Sequence, residues 1–418
     1  MATELRERTL LTSKVWVHKF NERLAQLLEL QNEANSPSGE KHVHIKKMSD
    51  SFVQVFLPFW SDPSLKEEYL SHFGYIRMGK VLEDMDALAG YISFLHGVGG
   101  ERLLTCVTAS VDRIDLLRQI PTDLDLTLSG CVTYVGRSSM EVSITMESIL
   151  QDSGFTVEEM ESVKYMRTKL PRDMVSGELI LSAKFTMVSI DSETSRPAPT
   201  AQLRLDTEEE RALFKAGEEH KLRKQLANFA SLSVKPPNNG EMALVHNLYK
   251  EYKQYLDTAG RELAANPKPA HVSWMSDTSK QNVALTFPQD RNLNNKIFGG
   301  HLMRLAFEFG YATGALFSKR ALRFLAIDDI TFKRPVEIGA ILDLTSTVVF
   351  THDDKMVIKV TVHVVEVQEG GKHLSNEFWL TFEAVRKPED TTEPRRVLPR
   401  SYDECMMLLE AKRRFEGV

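Results

Sequence analysis

The chain has 418 residues, 52 basic and 58 acidic side chains, a formal net charge of −6, and 42% hydrophobic and 26% charged residues. That composition excludes a disordered or collagen-like chain, and the near-balanced charge supplies no basic field for nucleic acid. Cys106, Cys131 and Cys405 are too few and too scattered for a disulfide framework or a zinc cage, which fits a reducing compartment.

Taken in chain order, residues 14–31 predict an amphipathic helix carrying Trp16, Phe20, Leu24 and Leu27, read as packing on the first folded unit. This stretch has no signal-like apolar core, and Glu4, Glu7, Glu22 and Glu29 are unlike an acid-poor mitochondrial presequence. The densest apolar run, Phe52 to Trp60, is far shorter than the roughly 20 residues that span a bilayer. Val81, Leu82, Met85, Leu88, Ala89, Ile92 and Leu95 then recur at helical spacing, with a stop at Gly97 and Gly99-Gly100. Alternating strands come next, around Val111 to Leu116, Leu126 to Leu128, Val132 to Tyr134 and Met140 to Val142.

A connector begins near Ser195. Thr207-Glu208-Glu209-Glu210 reads as a capping box opening a charged helix to about Asn228. Pro236-Pro237-Asn238-Asn239-Gly240 breaks it, a second helix covers Met242 to Leu256, and Pro267 and Pro269 end the connector. A polar loop from Asp290 runs into Gly299-Gly300, where a second apolar helix starts with Leu302, Met303, Ala306, Phe309 and Leu316.

The strands after this helix repeat the earlier ones. An offset of 216 carries Val111-Asp112-Arg113-Ile114 onto Ile327-Asp328-Asp329-Ile330, and Leu126-Thr127-Leu128 onto Leu342-Asp343-Leu344. It also carries Val132-Thr133-Tyr134 onto Val348-Val349-Phe350 and Met140-Glu141-Val142 onto Met356-Val357-Ile358. Four matches at one offset indicate a duplicated unit of roughly 120–150 residues. Each copy is α+β: one apolar helix, covered on most sides, with antiparallel strands.

Several motifs fail on their own chemistry. Gly74 to Lys80 has P-loop spacing, but Val81 stands where a magnesium-binding hydroxyl belongs. Gly136-Arg137-Ser138-Ser139-Met140 lacks the second glycine of a nucleophile elbow. His42-Val43-His44 has no third metal ligand at a suitable spacing and reads as a surface pair. Two polar features remain. Asp290 to Gly300 ends at a helix start, whose N–H groups can hold an oxyanion, although its asparagines also suit a turn. Glu83, Asp84 and Asp86 stand on the first helix, where Glu83, Asp86, Gly90 and Ser93 also fit a solvated stripe.

Gly299-Gly300-His301-Leu302-Met303-Arg304 after Phe287-Pro288-Gln289-Asp290-Arg291-Asn292, with Arg77-Met78-Gly79-Lys80-Val81-Leu82-Glu83-Asp84-Met85-Asp86 in the other copy, resembles the double-hotdog acyl-coenzyme A thioesterases. Within them the match is to the mitochondrial acyl-coenzyme A thioesterase 9 family. Lys333-Arg334-Pro335-Val336-Glu337, Gly136 to Val142 and Ser401-Tyr402 agree as well, so the resemblance covers roughly residues 50–410. It implies a tandem hotdog fold, each hotdog a long helix wrapped by an antiparallel sheet. The expected layout is an N-terminal helical segment at 1–49, a first hotdog at 50–192, a helical linker at 193–270, a second hotdog at 271–390 and a tail at 391–418.

The resemblance further implies hydrolysis of fatty acyl-CoA to free acid and coenzyme A, without cofactor or metal. The expected site is composite, with Asp86 from one copy facing Asn292 from the other. Aligned on their glycine pairs, the copies set Ser71 against Asn292 and Phe307 against Asp86, with Glu308 adjacent. One competent site and one degenerate site around Ser71 and Glu308 are therefore expected, and Met78 departs from the usual first glycine. Asp86 would act as general base, or attack directly to give an anhydride. Asn292 would orient the water or carbonyl, and the Gly299 and Gly300 N–H groups would stabilise the oxyanion. Arg137, Ser138 and Ser139 match a family string near coenzyme A, while also suiting a polar hairpin turn. Lys80 and Arg77 read as a solvated helix entry.

The resemblance carries a mitochondrial location, with cytoplasmic as the alternative, and a trimer of double hotdogs. Asp290-Arg291-Asn292 also suggests the hotdog hydratase loop, but Asn295 stands where that type has His. The non-enzymatic rival is a degenerate scaffold that binds acyl-CoA or a protein partner.

Overall fold

The computed structural model describes residues 45–97, 104–149, 177–191, 194, 196–230, 232, 235–261, 269–292, 295–366 and 371–416. The predicted helix at 14–31, the His42-Val43-His44 pair and the Gly99-Gly100 stop lie outside them. In chain order the first elements are β1 (Ile45–Lys47), β2 (Val53–Leu57), α1 (Pro63–Tyr69), α2 (Met78–Gly97), β3 (Leu104–Val111) and β4 (Ile114–Asp115). Then come β5 (Leu126–Val135), β6 (Ser139–Ser148), β7 (Leu179–Asp191), β8 (Gln202–Arg204), α3 (Glu208–Ala230) and α4 (Asn239–Arg261). β9 (Val272–Trp274), α5 (Met275–Thr278), β10 (Lys280–Leu285), α6 (Gly299–Ser318), β11 (Leu322–Ile327) and β12 (Ile330–Thr331) come after these. The last are β13 (Ile341–His352), β14 (Lys355–Glu366), β15 (Gly371–Ala384), β16 (Arg396–Leu398) and α7 (Tyr402–Glu416).

Contacts group these elements into two compact units. The first holds the described residues up to Glu219 together with Thr286–Arg304 and Ile330–Gly339; the second holds His220–Leu285, Leu305–Asp329 and the described residues from Ala340 onward.

In the first unit an antiparallel sheet runs in the order β12-β3-β7-β6-β5-β2. α2 packs on β3, β5, β6 and β7. Sixteen of its 20 residues are buried, which is why its sequence is apolar on nearly every face. Glu83, Asp86 and Ser93 are among them, so the stripe that suited solvent is instead an interior one. The connector helix α3 opens on the expected capping box, in which Glu210 N–H donates to Thr207 Oγ1 and Thr207 N–H to Glu210 Oε2, both at 3.1 Å. Phe214 on α3 lies 5.0 Å from the Tyr134 ring on β5.

In the second unit β10-β13-β14-β15-β11 are neighbours in that order, again antiparallel. The Leu305–Ser318 part of α6 lies against them closely. A Cβ at Gly310 would stand 2.5 Å from Leu380 Cδ1, so only glycine fits at that distance. α4 starts three residues before the expected Met242. Asn238 and Glu241 form a second capping box there, with Glu241 N–H to Asn238 Oδ1 at 2.9 Å and Asn238 N–H to Glu241 Oε2 at 2.8 Å. α7 packs Phe415 on Phe350 of β13 at 5.4 Å.

Strand order and irregularities both repeat. The offset of 216 carries β4 onto β12 residue for residue. It carries the bulge between Val132 and Tyr134 onto that between Val348 and Phe350, and the one between Thr108 and Ser110 onto that between Phe324 and Ala326. Each copy is thus a helix laid on one antiparallel sheet, the hotdog arrangement expected from the sequence.

Candidate active site

Asp86 is fully buried midway along α2. Its Oδ1 accepts a hydrogen bond from Thr108 Oγ1 at 2.7 Å, and its Oδ2 accepts one from the Gly300 N–H at 2.6 Å. Burial pushes its pKa up from 3.8 to about 6, against the pull of the Thr108 and Gly300 bonds and with a further push from the Glu83 charge. Thr108 comes to it from β3, immediately before the bulged residue Ala109, a device that re-aims side chains. The Ala109 carbonyl accepts the Phe332 N–H at 3.0 Å, which seats the segment after β12 beside the same carboxylate.

The glycine pair explains why α6 can start here. A Cβ on Gly300 would lie 2.9 Å from Glu83 Cα and 2.7 Å from a Phe298 ring carbon. A Cβ on Gly299 would lie 3.1 Å from both Asp86 Oδ2 and Phe332 Cζ. The first N–H groups of a helix have no intrahelical partner. The family resemblance implied an oxyanion role for both; the Gly300 N–H is directed at Asp86 Oδ2.

Around this contact stands an ionic cluster. Arg304 Nη1 donates to Glu83 Oε2 at 2.7 Å, and His301 Nδ1 lies 3.9 Å from Glu83 Oε1 and 3.7 Å from Asp290 Oδ1. Asp84, also buried, accepts from Tyr69 Oη at 2.5 Å, and burial pushes its carboxyl up to about 7. Lys80, read from sequence as a solvated entry residue, is buried: it pairs with Glu68 at 3.1 Å and sits 4.3 Å from the Tyr69 ring centroid. With its ammonium so engaged and helix α1 before it, Gly74 to Lys80 does not form a phosphate loop.

Asn292 is held within its own loop, and no direct contact joins its side chain to Asp86 among the hydrogen bonds of the described residues. The Asn292 N–H donates to the Lys296 carbonyl at 2.7 Å, and its Oδ1 accepts the Lys296 N–H at 3.1 Å. Ser71 does the same with Tyr75, N–H to carbonyl at 2.8 Å and Oγ accepting at 3.2 Å. Asn292 and Ser71 are therefore true counterparts: the loop frame is kept, and what Asn292 adds is an amide nitrogen.

Residues 73–149 match the model of the thioesterase superfamily. The chain is 32% identical over 383 residues to acyl-coenzyme A thioesterase 9, mitochondrial, of Bos taurus, covering 91% of this chain and 80% of that one. The chain belongs to the acyl-coenzyme A thioesterase 9 family. It is 33% identical over 389 residues to acyl-coenzyme A thioesterase 4, mitochondrial, of Humulus lupulus, covering 90% of this chain and 68% of that one. Among solved structures, an acyl-ACP thioesterase from Bacteroides thetaiotaomicron matches with a TM-score of 0.42 at 11% identity, covering 81% of this chain and all of that one.

Within this family member the repeat counterpart of Asp86 carries no carboxylate. Phe307 is buried, 5.2 Å from the ring of Phe324 and 5.5 Å from that of Phe382. Phe324 stands 216 residues after Thr108, so the repeat counterparts of the carboxylate and of the hydroxyl that meets it are both aromatic. Arg137 and Ser138 form the β5–β6 turn, with Ser139 opening β6. The Arg137 and Ser138 carbonyls accept from Thr200 and Ser189 N–H groups at 3.1 and 2.8 Å, and the Arg137 side chain is exposed. Sequence reasoning missed Thr108, whose signal was its place in the repeat opposite a phenylalanine, and the Glu83–Arg304 pair.

Proposed function

We propose that this thioester hydrolase cleaves acyl-CoA at one composite site, with Asp86 from the first copy and Asn292, Gly299 and Gly300 from the second. The observation that carries the reading is the buried Asp86 carboxylate held between Thr108 and the N-terminus of α6. A carboxyl with a pKa of about 6 is mostly ionised at neutral pH yet basic enough to take a proton from water. That water would attack the thioester carbonyl, coenzyme A would leave as the thiol, and Asp86 would return the proton. The Gly299 N–H would meet the developing oxyanion, Gly300 would hold Asp86 in place, and the Asn292 amide nitrogen would orient the carbonyl. Burial favours each of these polar contacts by excluding bulk water.

Loss of the equivalent carboxylate and hydroxyl to Phe307 and Phe324 supports a single competent site, with the Ser71 and Glu308 positions degenerate. The exposed Arg137 supports binding of coenzyme A phosphate at the β5–β6 turn, with Ser138 and Ser139 adding hydroxyls. The names of the cattle and hop relatives support a mitochondrial location. A trimer is the expected assembly, which sedimentation would read directly.

The test is thiol release from short, medium and long acyl-CoAs. Asp86→Asn and Asn292→Ala should each lose about 10²-fold or more in kcat while the fold persists. Wild-type turnover in both would overturn the composite site.

A further inference from the structure

We propose that Glu83 and Arg304 form a positioning pair that keeps the start of α6 seated on α2 and so keeps the Gly300 N–H on Asp86. The inference rests on the reading of Asp86 as the reacting carboxylate. Arg304 lies one turn after Gly300, and Glu83 lies one turn before Asp86, so the pair and the Gly300–Asp86 bond are adjacent ties between the same two helices. Between them the backbones nearly touch, as the 2.9 Å from a Gly300 Cβ to Glu83 Cα records. The Glu83 side chain is 8% exposed and the Arg304 side chain 30%, so the carboxylate end of their 2.7 Å bond is shielded while the guanidinium reaches towards water.

A second observation makes the pair more than a chance contact. The alignment that matches Ser71 with Asn292 and Gly79 with Gly300 also matches Glu83 with Arg304. The two positions are repeat counterparts that meet each other. In identical copies they would set like charges face to face; here they have opposite signs. The tie extends to the loop of Asn292 as well, because His301 stands between Glu83 and Asp290, two residues before Asn292.

The groups that face Asp86 are Thr108 from β3, the Gly300 N–H from α6 and Glu83 from its own helix. The groups that face Glu83 are Arg304 and His301 from α6, Asp84 and Asp86 on its own helix, and the Tyr69 hydroxyl from α1. Arg304→Met would leave the Glu83 charge in place and loosen the Gly300 N–H. Both changes favour protonated Asp86, so the acidic limb of kcat/KM should move to higher pH.

The experiment compares full-length wild type, Arg304→Met, Arg304→Lys and Asp86→Asn in thiol release from one acyl-CoA across pH. Arg304→Met should lose about ten- to a hundredfold in kcat, the scale of a misplacement near 1 Å, with KM changed by less than about threefold and the acidic limb displaced upward. Arg304→Lys should recover most of the loss. If Arg304→Met does not fold, Glu83→Gln/Arg304→Met leaves no lone buried charge and should show the same loss in kcat. A lowered melting point with kcat per folded molecule and acidic limb unchanged would make the pair merely structural and overturn the proposal. Asp86→Asn separates the two failures. If it is inactive while Arg304→Met is wild type, only the positioning pair falls; if it turns over normally, both fall.

Discussion

Replacing Thr108 by valine removes one hydroxyl and almost nothing else, because the two side chains share a shape. What is lost is the 2.7 Å bond to Asp86 Oδ1. A hydrogen bond to a buried charge is worth about 1.5–3 kcal/mol, and one pKa unit corresponds to about 1.4 kcal/mol. Without that bond the ionised form is less favoured, so the Asp86 pKa should rise from about 6 by roughly one to two units. The ionised fraction at pH 7 then falls from about nine-tenths to between about a half and a tenth. Thiol release measured from pH 5 to 9 should show the acidic limb of kcat/KM displaced upward by that amount, with activity recovering towards alkaline pH. An acidic limb that overlays the wild-type curve would refute the assignment of that limb to Asp86, and with it the role of Thr108.

Asp86→Asn should also stabilise the protein. The folded pKa is raised, so Asp86 favours folding at low pH and this contribution is lost as pH rises from about 4 through about 6. At pH 7.5 the substitution should gain up to about 3 kcal/mol in urea unfolding, and the gain should vanish below about pH 4. Gly300→Ala should destabilise by about 1–3 kcal/mol and cut turnover, since its Cβ meets Glu83 backbone at 2.9 Å, which cannot swing aside; unchanged unfolding would contradict that contact. Arg137→Ala should raise KM for acyl-CoA by roughly tenfold with little change in kcat, and the effect should shrink when the substrate is a thioester lacking the nucleotide.

The duplication, the two apolar helices and the connector capping box were legible because each is a local or periodic signal. Val132 and Val348 recur at the same offset whatever surrounds them, and Thr207 and Glu210 need only each other. Asp86 and Gly300 were legible as residues through the family resemblance, but their contact was not. The hydrogen bond joins positions 214 residues apart, and nothing in the sequence says that an N–H free to hold an oxyanion is already engaged by a carboxylate. Lys80 was misread for a related reason: its partner Glu68 belongs to a separate helix, and a lysine at a helix entry is ordinarily solvated. Thr108 was hidden in an alternating strand, where a threonine is unremarked unless the bulge beside it is known.

The matched bulges have a consequence for redesign. The strand kink that turns Thr108 onto a carboxylate is present again at Phe324, where there is no carboxylate to meet. Backbone and side chains therefore vary separately: the strand irregularity is shared, while the second copy packs three phenylalanine rings there. A carboxylate–hydroxyl pair can therefore be placed in the second copy by exchanging the Phe307 and Phe324 side chains on a strand irregularity that is already there.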